Sequence, residues 1–114
     1  TQTGGDGNVF LGAVAGYSNS TAGGNTYVGH EAGRFATGAN NVIIGRYAGD
    51  VGGFTGSNNI VVGASADPSN ASISNEITLG NSSNDTLRCQ VTSITSLSDE
   101  RDKTDIVDRL DVIS

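Results

Sequence analysis

Near the end of this chain a serine stands five residues ahead of a lysine, in Leu97-Ser98-Asp99-Glu100-Arg101-Asp102-Lys103-Thr104-Asp105-Ile106. A hydroxyl and an amine form a nucleophile–base pair once the lysine is neutral. Desolvation or a nearby positive charge favours that neutral form. Arg101 can supply such charge or hold Asp99. A reaction within one chain needs only alignment of the groups. On spacing alone a Ser-x4-Lys pair is common. Its other reading is a solvated, charged linker running into a helix.

Other candidate chemistry is sparse. His30 is the only histidine and Cys89 the only cysteine, so a zinc site is not expected. A single cysteine closes no intrachain disulfide, and its usual place is a buried thiol. Gly4-Gly5-Asp6-Gly7-Asn8 approaches a calcium-binding nonapeptide, but it occurs once and the repeat length differs. No Gly-Lys-Ser/Thr follows a strand, so the glycines make no phosphate loop. Asn70-Ala71-Ser72 and Asn81-Ser82-Ser83 fit glycosylation sequons and read as idle. The expectation is no metal and no cofactor.

Net charge is −6, from 12 acidic and 6 basic residues. Nucleic-acid binding wants a basic footprint, so that class is set aside, and nothing favours anionic membranes. The apolar runs are too short for membrane insertion. The opening residues carry no signal-peptide pattern. With 35% hydrophobic residues and 17 glycines, a compact monomeric core would be thin. Repetition or oligomerisation is the usual remedy.

The chain does repeat. Asn8-Val9-Phe10-Leu11-Gly12, Asn25-Thr26-Tyr27-Val28-Gly29, Asn41-Val42-Ile43-Ile44-Gly45 and Asn59-Ile60-Val61-Val62-Gly63 are four copies, and Glu76-Ile77-Thr78-Leu79-Gly80 is a worn fifth. The glycines are spaced by 17, 16, 18 and 17 residues. A fixed short period means stacked supersecondary units. Each unit holds about five extended, β-branched residues, too few for a helix. The Gly-x-x-Ala-Gly that follows bends the chain. The pattern predicts an all-β repeat, a β-roll or narrow β-solenoid of about 17-residue coils stacked about 4.8 Å apart.

Alternation within the units assigns Val9, Thr26, Val42, Ile60 and Ile77 to one face with Leu11, Val28, Ile44, Val62 and Leu79. This is expected to be the interior. The opposite face carries Phe10, Tyr27, Ile43, Val61 and Thr78 and is mostly apolar too. Strands apolar on both faces are usually buried on both, so the outer face is expected to meet another chain. The recurring Asn8, Asn25, Asn41 and Asn59 read as a ladder that satisfies turn backbone and stacks coil on coil. A row of sugar- or ice-binding amides is the rival reading. Ala15, Ala32, Ala48 and Ala66 read as filling at a tight corner. Tyr17, Phe35, Tyr47 and Phe54 suit either sugar stacking or packing between chains.

These Asn-Val-x-Ile-Gly-x-x-Ala-Gly repeats resemble those of phage tail fibres and the head repeats of trimeric autotransporter adhesins, over residues 4–80. The adhesin heads are trimeric left-handed parallel β-rolls, so the resemblance implies a homotrimeric fibre. The end of the chain resembles the opening of the endosialidase-type C-terminal intramolecular chaperone of phage tail spikes and fibres, Ser-Asp-x-Arg-x-Lys-x-x-Ile. Ser98, Asp99, Arg101, Lys103 and Ile106 match its five fixed positions. In that family the chaperone assembles the trimer and releases itself by cutting just after the serine. The resemblance implies Ser98 as nucleophile, Lys103 as base, and Asp99 and Arg101 at the scissile bond.

The expected organisation is a repeat shaft at 1–80, a connector at 81–97, and the first segment of a truncated chaperone at 98–114. Ile106, Leu110 and Ile113 recur at helical spacing, so a short C-terminal helix is expected, with Thr104 as its cap. The expected function is a structural virion protein, a distal tail-fibre segment for host attachment. Its partners would be copies of itself, other tail proteins, and a host surface receptor such as a polysaccharide. It would be made in the host cytoplasm and carried in the virion. Any enzymatic activity would be a single self-cleavage between Ser98 and Asp99. The alternative is a carbohydrate-binding trimeric surface adhesin of a bacterium.

Overall fold

The computed structural model describes residues 6–97. They form an all-β parallel β-solenoid of about four turns with coils of about 17 residues. The strands are β1 (Val9–Leu11), β2 (Thr26–Val28), β3 (Val42–Ile44), β4 (Ile60–Val62) and β5 (Ile77–Leu79). They pair in sequence order into one five-stranded parallel sheet. Every pairing joins equivalent repeat positions, as in Phe10↔Tyr27, Tyr27↔Ile43, Ile43↔Val61 and Val61↔Thr78. The expected C-terminal helix lies outside the described residues.

The first four strands end where the last residue meets a glycine at φ between 132° and 137°, at Gly12, Gly29, Gly45 and Gly63, and β5 ends at Gly80 with φ 88°. L side chains rarely adopt that conformation. Space forbids a side chain there as well. A Cβ on Gly12 would lie 2.5 Å from the Gly29 carbonyl oxygen, and one on Gly29 equally close to that of Gly45. The glycines therefore stack directly on one another.

Hydrogen bonding between coils continues beyond the strands. Glu31, Tyr47 and Ser65 donate N–H groups to the carbonyls of Ala13, His30 and Arg46 one coil back. Past the corner, Gly16, Gly33 and Gly49 donate forward to Ala32, Ala48 and Ala66. On the return path Thr37 donates to Phe54, and Thr55 to Ala71. Coils thus satisfy one another's backbone around their perimeter, as buried polar groups require.

The interior is the reverse of the sequence expectation. Tyr27, Ile43 and Val61 are fully buried, whereas Val9, Leu11, Ile44, Ile60, Ile77 and Leu79 are exposed. The middle residue of each strand points inward and its two neighbours point out. Period-two alternation has no sign when both faces are apolar. The corner decides it. Gly16 and Gly33 sit so close beneath the Phe10 and Tyr27 rings that a Cβ would come within 2.7 and 2.8 Å of them. The spacing from the mid-strand ring to that later glycine was the available sequence signal.

Ala32, Ala48 and Ala66 are buried at the adjoining corner. The stacked Phe10 and Tyr27 rings have centroids 4.9 Å apart, about one strand spacing. Buried Ala36 and Phe54 complete the same cluster, and a Cβ on Gly49 would meet both Ile43 and Phe54.

Candidate functional site

Two constructions in the coils carry the recurring polar residues. The first is the asparagine column at the entry to each strand. Asn25, Asn41 and Asn59 are fully buried. The Asn25 N–H donates to Asn8 Oδ1, Asn41 N–H to Asn25 Oδ1, and Asn59 N–H to Asn41 Oδ1, each at 2.9 Å. The Glu76 N–H closes the series on Asn59 Oδ1 at 3.0 Å. Each amide also reaches across its own coil: Nδ2 of Asn8, Asn25, Asn41 and Asn59 donates to the carbonyls of Ala22, Gly38, Gly56 and Ile73. One side chain therefore ties three backbone segments. With both ends engaged inside the roll, the buried amides offer no surface to a sugar or to ice.

The residue before each of these positions adopts a left-handed conformation. Gly7, Gly24, Asn40, Asn58 and Asn75 all have φ between 59° and 75°. Glycine and asparagine tolerate that region best. A second left-handed row, Val14, Glu31, Tyr47 and Ser65, lies at the corner after the strand, with φ between 56° and 65°. Sequence reasoning missed this row, because its residue types are not the ones that signal a left-handed turn.

That corner carries charge and aromatic rings. Arg34 pairs with Glu31 at 3.2 Å, and His30 Nε2 lies 3.5 Å from the same carboxylate. The Arg34 guanidinium lies over the Phe35 ring, and Arg46 over Tyr47, each 4.8 Å from the centroid. His30 meets Tyr47 edge-on at 5.4 Å. Burial is the first cause pushing the Asp50 carboxyl above its usual range, and the Glu31 charge adds to it. Exposed pairs of this kind contribute little to stability. Of the four aromatics considered for sugar stacking, Phe54 is wholly buried and unavailable, while Tyr17 is well exposed.

The interior contains polar exceptions. The Asn19 carboxamide is buried without a hydrogen-bond partner, and so is the Tyr27 hydroxyl. Burial raises the Tyr27 pKa to about 12; the Asn41 side chain nearby acts the other way, but its amide is engaged with the Gly56 carbonyl and the Asn59 N–H and makes no well-formed bond to the hydroxyl.

The outward strand face has a different character. Val9, Leu11, Ile44, Ile60, Ile77 and Leu79 are between 37% and 67% exposed. Together with Thr26, Val28, Val42 and Val62 they form two uncharged rows along the whole sheet.

After β5 the chain leaves the coil through an asparagine turn. Asn81 Nδ2 donates to the Ala64 carbonyl at 2.6 Å, and the Asn81 N–H donates to Asn84 Oδ1 at 2.7 Å. Residues 85–97 form neither strand nor helix. Leu87, Val91, Ile94 and Leu97 are between 70% and 107% exposed. Cys89 is exposed as well, contrary to the expected buried thiol, because its segment has no core around it. A cleft of about 520 Å³ lies between the last coil and this segment, lined by Leu79, Gly80, Asn84, Asp85, Thr86 and Leu87 together with Gly63.

Ser98, Asp99, Arg101 and Lys103 lie outside the described residues, so the geometry of the serine–lysine pair does not enter. Among the described residues no group of three or more His, Cys, Asp or Glu side chains is placed to hold a metal ion. Among them, too, no helix is long and apolar enough to cross a membrane. Comparison with protein-family models, with curated proteins and with solved structures finds no match to this chain.

Proposed function

We propose that this chain is a shaft segment of a homotrimeric phage tail fibre, a structural virion component for host attachment. The observation that carries the reading is the uncharged apolar stripe along the outer face of all five strands. A continuous apolar surface on a rigid element is ordinarily an interface. A coil stack bonded throughout its length suits rigid display. The resemblance of the repeats to fibre and adhesin repeats supplies the number three. Sedimentation equilibrium tests the reading: a mass of three chains is expected, and a stable monomer at micromolar concentration overturns it.

The serine–lysine motif adds a second element to this proposal. In the intact parent chain, Lys103 would act as base and Ser98 as nucleophile. One water is consumed in hydrolysing the Ser98–Asp99 bond, which leaves a carboxylate on Ser98 and an amine on Asp99. Comparing chain masses of the parent and its Ser98→Ala form tests this, and equal masses remove the claim.

A carbohydrate-binding surface adhesin is the second reading. Exposed Tyr17 and the arginine-stacked Phe35 and Tyr47 favour it, since aromatic faces beside polar groups suit sugars. Polysaccharide binding by the native protein but not by its Tyr17→Ala/Tyr47→Ala form would support it, and equal binding would remove it.

A further inference from the structure

The fifth coil keeps the repeat spacing but changes the residues that make contact between coils. Glu76 stands at the asparagine position, Thr78 at the inward mid-strand position, and Asn84 where Gly16, Gly33 and Gly49 turn the corner. Drift in a worn repeat is the plain account. The bonds these side chains make describe an ending instead.

Glu76 receives the asparagine ladder and does not pass it on. Its N–H donates to Asn59 Oδ1 at 3.0 Å, but its own carboxylate accepts the Ser69 N–H, seven residues back, at 2.8 Å. In the earlier coils the glycine after the strand lies against the glycine of the next coil, whereas Gly80 lies against the Asn84 side chain. Asn84 Oδ1 is held there by the Asn81 N–H at 2.7 Å. The chain also leaves the coil path at this point. The Ala13, His30 and Arg46 carbonyls each accept a backbone N–H from the following coil, while the Ala64 carbonyl accepts Asn81 Nδ2 at 2.6 Å. A side chain replaces the backbone where the coil would continue.

We infer that the fifth coil is a built stop, in which Glu76, Asn81 and Asn84 close the far edge of β5 to a further strand. No described strand occupies that edge. An open strand edge is a template for pairing, and a charge placed on it is a common block. A strand laid against β5 would have to displace Asn84 from Gly80 and take the Glu76 carboxylate out of water without a partner. Thr78 follows the buried Tyr27, Ile43 and Val61 in register, so the interior column finishes in a hydroxyl. A polar outer face is what the terminal unit of a repeat stack requires. The stop lies within residues 76–84 and holds however many copies associate.

Restoring the repeat residues tests the stop. The full chain and its Glu76→Asn/Asn84→Gly form are compared by amide hydrogen exchange, thermal melting and sedimentation velocity. Drift predicts a higher melting temperature for the restored form, as consensus changes usually give. The stop predicts an opened edge: Ser69 and Asn81 amides exchange about tenfold faster or more, the scale of one lost hydrogen bond. The β2 amides stay unchanged, and species larger than the native assembly appear. A restored form with no larger species overturns the inference. That holds whether its fifth coil is tighter, as drift requires, or looser, which would make the three side chains a local brace. Asn84→Ala removes only the Asn81 acceptor and covers a restored form that fails to fold. Its Asn81 amide should exchange faster and larger species should appear, and native values of either overturn the stop. Every readout is taken against the native assembly, so a monomeric native chain overturns the trimer reading alone.

Discussion

Coil and connector are built from similar residues and reach opposite outcomes. In the coils, Tyr27, Ile43 and Val61 are sealed from water, and each strand is bonded to the strand before and after it. In the connector, Leu87, Val91, Ile94 and Leu97 are just as apolar and stand in solvent. Hydrophobicity does not separate them. What does is the punctuation: a glycine and an asparagine at fixed places return the coil onto its neighbour, and residues 85–97 contain neither. A repeat protein lends each unit the surface its neighbour lacks. Among the described residues, those after the last coil have no such neighbour.

Breaking the punctuation should therefore have the largest effect. Gly29→Ala forces a Cβ against the Gly45 carbonyl at a φ of 135°. A loss of about 4 kcal/mol or more is expected, read as a fall in the thermal midpoint or failure to fold. Asn41→Ala comes next, because it orphans the Asn59 N–H and the Gly56 carbonyl together. About 3 kcal/mol should be lost in urea denaturation, against about 1 kcal/mol for Asn8→Ala, whose half-buried place lets water substitute. Equal costs at the two positions would mean that burial does not set the strength of the ladder.

Tyr27→Phe sharpens the comparison from the other side. The hydroxyl is buried and unpartnered, so its removal should leave stability unchanged or raise it by up to about 1 kcal/mol. The folded Tyr27 pKa of about 12 lies above the unfolded value of 10.0. The folded state therefore holds its proton longer, and stability contributed by Tyr27 falls as pH rises from 10 towards 12. The Phe variant should lose that alkaline component of the pH profile.

A smaller effect is expected at the charged corner. The Asp50 pKa is raised, chiefly by burial, so its ionised form is disfavoured in the fold. Its contribution to stability improves as pH falls through the folded pKa. Asp50→Asn should raise the melting temperature at neutral pH and lose that advantage below about pH 3, where both states hold the proton. Glu76 runs the opposite way, since the Ser69 N–H it accepts lowers its pKa. The smallest effect belongs to the connector. Leu97→Ser should move the unfolding of the coils by no more than about 0.5 kcal/mol, whatever it does to association.

Much of this molecule was legible in the residues alone. Spacing of the glycines at 12, 29, 45, 63 and 80 determined the coil length, and the three-residue apolar runs determined the strands and their register. The asparagine column was also readable, because a recurring amide at a turn has a short list of uses. The left-handed Val14, Glu31, Tyr47 and Ser65 were not, since no residue type announces them. Nor was the fate of Cys89, which depended on whether its segment had a core to enter.

What the sequence determined by itself is therefore the repeat: its period, its strands and the residues that end them, all fixed by local conformational limits. Only the tertiary structure decided which side of each strand is inside. Both faces of Val9-Phe10-Leu11 and its copies are apolar, so alternation cannot choose between them. The choice falls to the glycines under the Phe10 and Tyr27 rings, which leave space for a large side chain on one side of the sheet alone.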